Sequence, residues 1–196
     1  MKKLFLIMVL LPLGLWAQED KLQEENINPT KYEILISKAG NLIKYEDIKH
    51  EKISSDGLAG IYTCIRKVYG KPNRYFYVLS DNIKSFQSPL KKGSMAFIEY
   101  SDLIEVNKAL DKMSSEAKTD HESKPYNLVN MFCTVDNFCI GYRTGVKTAE
   151  FDASLSYFIQ LEKYQGYYKI SKEEKMIEIF KTAQAKIEEL MANDPS

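Results

Sequence analysis

Three cysteines, two histidines and one cluster of carboxylates are the residues whose types could do chemistry. Cys133 and Cys139 sit symmetrically around Asp136-Asn137 in "NMFCTVDNFCIGYR", and the third cysteine is Cys64. Such a pair could be a disulfide, half of a metal site, or two residues of a hairpin core. His50 lies in "DIKHEKIS" and His121 in "KTDHESK", and neither has a partner at a zinc-ligand spacing. Asp120, His121 and Glu122 are adjacent, but a short polar run in a linker reads as solvated. Glu99, Asp102 and Glu105 gather at a strand-to-helix junction, with Asp102 and Glu105 on one helix face. Paired carboxylates can act as acid and base. Acids at a helix start more simply complement its positive end, and that reading is preferred. There is no Gly-rich phosphate loop, nucleophile-elbow serine or redox cysteine pair. The residues therefore assign no catalytic, cofactor-binding or metal-binding role.

The elements that must position these residues follow an N-terminal address. "MKKLFLIMVLLPLGLWAQED" combines Lys2-Lys3, an apolar run from Leu4 to Leu15, and a polar exit after Ala17. It reads as a secretory signal over residues 1–17, cut after Ala17, which predicts export to the periplasm or medium. The run is too short for a span of about 20 apolar residues, and no later segment could cross a bilayer. Residues 1–17 carry two lysines and no acids, so 25 basic residues remain against 27 acidic, a net charge of −2. That balance argues against nucleic acid or an anionic membrane as partner. Residues 18–30 read as a flexible polar lead, and 31–192 as one domain able to bury about 70% of its unfolded surface.

Within 31–192 the pattern predicts a hairpin (Tyr32–Ser37, a turn at Lys38–Asn41, then Leu42–Tyr45) and a turn-rich patch at Ser54–Gly57. Strands over about Gly60–Tyr69, Arg74–Ser80 and Ser94–Tyr100 follow, with a loop at Asp81–Gly93. A helix capped by Ser101 carries Val106, Ala109, Leu110, Met113 and Ala117 on one stripe and stops at a linker, Thr119–Lys124. The second half repeats the order. It has the cysteine hairpin, the alternating "FDASLSYFIQLEKY", and a helix opened by a Ser171–Glu174 capping box with Met176, Ile179, Phe180, Ala183, Ile187, Leu190 and Met191 as its stripe. Placing Ser101 over Ser171 superposes the two stripes, as a duplicated strands-then-helix unit would. Strand runs with segregated helices predict an α+β fold: an antiparallel sheet with two amphipathic helices on one face.

"AFIEYSDLIEVNKAL", "VDNFCIGYRTG" and "YFIQLEKY" resemble segments of small exported bacterial α+β proteins with no established activity. The resemblance spans roughly the mature domain and rests on caps, a turn and a core pattern. It implies the fold and export, and it carries over no functional residue.

The chain has 13 Tyr, 9 Phe and 1 Trp, most of which suit strands. A sheet covered on one face leaves the other open. On the strands that can be oriented, that face carries Phe132, Arg143, Phe158 and Gln160. Aromatics beside Arg and Gln suit a protein, peptide or glycan ligand, but cover by the first hairpin or a partner chain is the preferred reading. The leading expectation is an exported non-enzymatic binding or interaction domain. The alternatives are an envelope hydrolase using carboxylates and a structural or assembly protein of the envelope.

For the cysteines, a two-residue turn at Asp136-Asn137 pairs Val135 with Phe138 and Cys133 with Ile140. Met131, Cys133 and Val135 then face Phe138, Ile140 and Tyr142 in the core, and the cysteines point to opposite faces. A Cys133–Cys139 bond would need a slip of one residue, which costs one strand its matched core. This register predicts no Cys133–Cys139 bond, with Cys133 buried and either free or joined to Cys64.

Overall fold

The buried positions change period where strand becomes helix. Ala96 and Ile98 alternate inward up to Glu99. From there Leu103, Val106, Leu110, Met113 and Ala117 recur at helical spacing. The strand runs into the helix with no loop between them.

The computed structural model describes residues 29–37, 42–49, 60–81, 94–123, 127–145, 154–163, 166–170 and 172–194. In chain order the elements are α1 (Lys31–Ile36), β1 (Tyr45–Lys49), β2 (Tyr62–Val68), β3 (Arg74–Ser80), β4 (Met95–Glu99) and α2 (Tyr100–Ser123). They continue with β5 (Leu128–Cys133), β6 (Cys139–Thr144), β7 (Leu155–Gln160), β8 (Tyr168–Ile170) and α3 (Glu173–Ala192). The fold is α+β, with two antiparallel four-stranded sheets, ordered β1-β2-β3-β4 and β5-β6-β7-β8, in place of the single sheet expected. Each half runs four strands and then one long helix, so the repeated order is present.

One core joins the halves. Ile65, Tyr77, Leu79 and Ile98 from the first sheet meet Ile140, Tyr142, Tyr157 and Ile159 from the second, with α2 and α3 supplying Leu103, Leu110, Met176 and Phe180. Phe180 packs on Tyr77 at 5.7 Å between ring centres and on Phe138 at 5.8 Å. The helices are tied by Asn107, whose Nδ2 donates to Phe180 O at 3.2 Å and to Gln184 Oε1 at 2.7 Å. No helix among the described residues is long and apolar enough to cross a membrane.

Several local expectations are corrected. Residues 31–36, expected as a strand from Tyr32, form the helix α1, because Thr30 and Glu33 cap it reciprocally. Thr30 therefore ends in a structured cap and does not belong to a flexible lead. Residues 119–123, expected as linker, continue α2, where Lys118 pairs with Glu122 at 3.9 Å and Ser123 Oγ donates to Thr119 O at 2.6 Å. Ser101 lies inside the first turn of α2, which begins at Tyr100. α3 begins at Glu173 behind Lys172. Ser171, the signal, residues 18–28, the turn 38–41, the 54–57 patch, most of the 81–93 loop, Lys124 and His50 lie outside the described residues.

Candidate functional site

The two sheets treat their outer faces differently. The first is covered. On that face Cys64, Val68, Phe76 and Val78 form a second buried cluster beneath Tyr32 of α1, with Leu35 and Phe97 packed against it. Tyr32 stacks on Phe97 at 3.9 Å between ring centres. Arg66 is buried among them. Its Nε and Nη2 donate to the two oxygens of Asp47 at 2.6 and 2.7 Å, and its Nη1 donates to Tyr32 Oη at 2.7 Å. The guanidinium also lies 4.3 Å from the Tyr45 ring centre. Burial pushes the Cys64 thiol up to about 12, so it stays protonated.

The outer face of the second sheet is assembled from the pairings Met131↔Gly141, Val129↔Arg143, Gly141↔Phe158, Arg143↔Ser156, Cys139↔Gln160 and Phe158↔Lys169. Side chains alternate across a strand, so this face carries Val129, Met131 and Cys133, then Cys139, Gly141 and Arg143, then Ser156, Phe158 and Gln160, then Lys169. Arg143, Phe158 and Gln160 share it, as expected. Phe132 does not. It pairs with Ile140 and packs against the main core. Its place is taken by Val129, 57% exposed, and Met131, 45% exposed, which sequence reasoning had not assigned to this face. Phe158 is only 3% exposed, with the half-exposed Tyr167 against it at 4.5 Å between ring centres. Gly141 keeps the face flat, because a Cβ there would lie 2.2 Å from Asn130 O.

The shift of Phe132 comes from the hairpin turn. Cys133 lies opposite Cys139, with Cα atoms 4.1 Å apart, and the two are bonded. The expected free Cys133 and the two-residue turn are both overturned. Thr134 N donates to Phe138 O at 2.8 Å and Asn137 N to Thr134 O at 3.1 Å, with Asn137 left-handed at φ 66°. This is a three-residue loop closed by a left-handed residue. It adds one residue to the turn and reverses the faces of β5. Cys133 is exposed, and Cys64 is the free, buried cysteine.

The ladder also orients the backbone. Thr134 and Phe138 form a hydrogen-bonded pair, so by antiparallel alternation Phe132, Asn130 and Leu128 face β6. The N–H and C=O groups of Val129, Met131 and Cys133 point away from the sheet, along an edge with no described neighbouring strand. The surface is thus an apolar row, a line of outward backbone donors and acceptors, and the exposed Arg143 beside them.

The expected carboxylates are engaged elsewhere. Glu99 accepts from Arg74 Nε at 2.8 Å, and Asp102 accepts from Lys31 Nζ at 2.7 Å. Asp136 joins them by accepting from Lys31 N at 2.9 Å, and burial pushes its carboxyl up. Glu105 pairs with Lys108 at 2.8 Å on the helix surface. Asp120 accepts from Tyr142 Oη at 2.6 Å, and burial together with that carboxylate raises the phenol to about 12. Among the described residues no group of three or more His, Cys, Asp or Glu could hold a metal ion. An open cleft of about 680 Å³ lies between the β2–β3 turn and the end of α3, lined by Pro72, Asn73, Tyr75, Met191 and Asp194. Its carboxylate is taken up by the protein itself: Asp194 accepts from Lys67 Nζ at 2.7 Å, Asn73 Nδ2 at 2.6 Å and Tyr75 Oη at 2.5 Å. No protein-family model, curated protein or solved structure matches the chain.

Proposed function

We propose that this chain is an exported, non-enzymatic interaction domain that binds an extended segment of a partner protein or peptide along β5. The observation behind this reading is the contrast between the two outer faces. α1 covers the first sheet, whereas Val129 and Met131 stand exposed on the second beside a strand edge that has no neighbour among the described residues. A strand added at such an edge gains main-chain hydrogen bonds, and alternate side chains meet the apolar row. Arg143, exposed at the far end of that row, favours an acidic residue in the bound segment. A glycan ligand draws less support, because Phe158 is covered rather than offered as a stacking platform. The carboxylate hydrolase reading draws none from Glu99 and Asp102, which already pair with Arg74 and Lys31.

The test is capture from envelope extract with tagged mature protein, comparing wild type, Met131→Asp and Ile34→Asp, the last an exposed position on α1. A stoichiometric partner held by wild type and Ile34→Asp but lost from Met131→Asp supports the reading. A partner retained by Met131→Asp sinks it, and self-association lost in that variant indicates an assembly role instead. Export is tested separately, by fractionation and by sequencing for a mature N-terminus at Gln18.

A further inference from the structure

The bond between Cys133 and Cys139 selects a register. With these residues opposed, Leu128, Asn130 and Phe132 face inward and Val129, Met131 and Cys133 face outward. This register leaves part of each row misplaced, although Asn130 Nδ2 finds Glu116 Oε2 at 3.1 Å and Tyr142 Oη at 3.0 Å. The inward row includes Asn130 and ends at Thr134, whose hydroxyl oxygen is buried with no hydrogen-bond partner. The outward row, continued into the turn, holds Val129, Met131 and Val135, the last 76% exposed. Leu128 and Phe132 sit inside as burial favours, but Asn130 and Thr134 inside with Val129, Met131 and Val135 outside are the reverse of it.

Moving β5 by one residue along β6 exchanges the rows. Val135 then pairs with Phe138, Cys133 with Ile140 and Met131 with Tyr142, closing on a two-residue turn at Asp136-Asn137. Asn137 is already left-handed, and Asp tolerates that region. β6 turns its Phe138, Ile140 and Tyr142 peptide groups toward β5 in either case, so only β5 must roll, presenting Met131 and Cys133 where Asn130 and Phe132 now bond.

We propose that the Cys133–Cys139 bond is a redox latch: its reduction lets β5 roll by one residue, burying the apolar row and withdrawing the docking surface. The inference rests on the interaction reading only for what the latch controls. The reductant is a dithiol, either a small molecule or a thioredoxin-like protein. Its thiolate attacks the exposed Cys133 sulfur, breaking the S–S bond and releasing Cys139 as thiolate, which takes up a proton. The reductant's second thiolate then displaces Cys133. The balance is one protein disulfide plus one dithiol giving two protein thiols plus one reductant disulfide, two electrons and two protons transferred. Cys64, buried beneath α1 on the other sheet, takes no part.

The experiment is residue-resolved amide exchange on ligand-free protein, oxidised and after dithiothreitol. In the oxidised form the amides of Asn130 and Phe132 are protected, and those of Val129, Met131 and Cys133 exchange fast. On reduction the two sets trade places by at least about tenfold, as expected when a ladder bond is gained or lost. The Hα–Hα contact of Met131 with Gly141 gives way to one of Phe132 with Gly141. Cys133→Ser/Cys139→Ser shows the reduced pattern without reductant. Adding Thr134→Val, which removes the stranded hydroxyl, returns that variant to the oxidised pattern. An unchanged pattern on reduction overturns the proposal. So does loss of protection in both sets, which means the edge frays rather than rolls. If the sets trade places while Met131→Asp leaves partner capture intact, the latch stands and the interaction reading fails.

Discussion

Asp194 collects three donors, Lys67 of β2, Asn73 of the β2–β3 turn and Tyr75 of β3, which hold its carboxyl down to about 2. A carboxylate depressed in the folded state contributes stability above its unfolded value, near 4, and loses it as pH falls toward the folded value. Asp194→Asn should therefore be less stable than wild type at pH 7, and the gap should close between about pH 4 and pH 2. Urea midpoints measured across that range check this, and a gap that persists at pH 2 counts against it. No local pattern announces this residue, since Asn73 lies 121 positions away. Asp136 is similar, because its partner Lys31 is 105 positions away. One local reading held. The alternation in "LSYFIQ" placed Phe158 and Gln160 on one face with Arg143. Phe132 moved because its face depends on one residue of turn length, and Asp-Asn is compatible with both turns.

At the scale of elements, long periodic segments were legible and short ones were not. α2, α3 and the strands β2, β3 and β4 lie where the spacing of apolar residues puts them. α1 was missed because "YEILI" reads as a strand when its alternate residues are taken together. The exposed members, Ile34 and Ile36, are the ones alternation would have grouped with Tyr32. The deciding signal was Thr30-x-x-Glu33, a capping box at the edge of a polar stretch. So short a helix is not stable alone, and its docking depends on Tyr32. Tyr32→Ala removes the ring stacked on Phe97 and the acceptor for Arg66, and should cost about 3 kcal/mol. Denaturant unfolding measures the cost, and amide exchange should show α1 released while α2 stays protected. An α1 that remains protected in the variant would show that Lys31, held by Asp102 and Asp136, anchors it instead.

At the scale of the molecule, two sheets that share no hydrogen-bonded strands among the described residues are joined by side chains. Phe180 is the clearest join, touching Tyr77 of one half and Phe138 of the other. Phe180→Ala should cost about 3 to 5 kcal/mol. Because both halves share that core, one cooperative transition is expected before and after the substitution. Far-ultraviolet and tyrosine signals that unfold at different urea concentrations in wild type would contradict a shared core. That the halves repeat was visible in the matched stripes of α2 and α3. That they form two sheets was not, because every pairing joins consecutive strands and nothing in the spacing marks where one sheet ends and the next begins. The position of Phe180 also bears on the order of events during synthesis. α3 emerges after every other described element, yet its Phe180 packs on Tyr77 of the first half and Phe138 of the second. Neither half can complete its interior until that helix has left the ribosome. A chain in this state stays open for longer than one whose first half closes by itself.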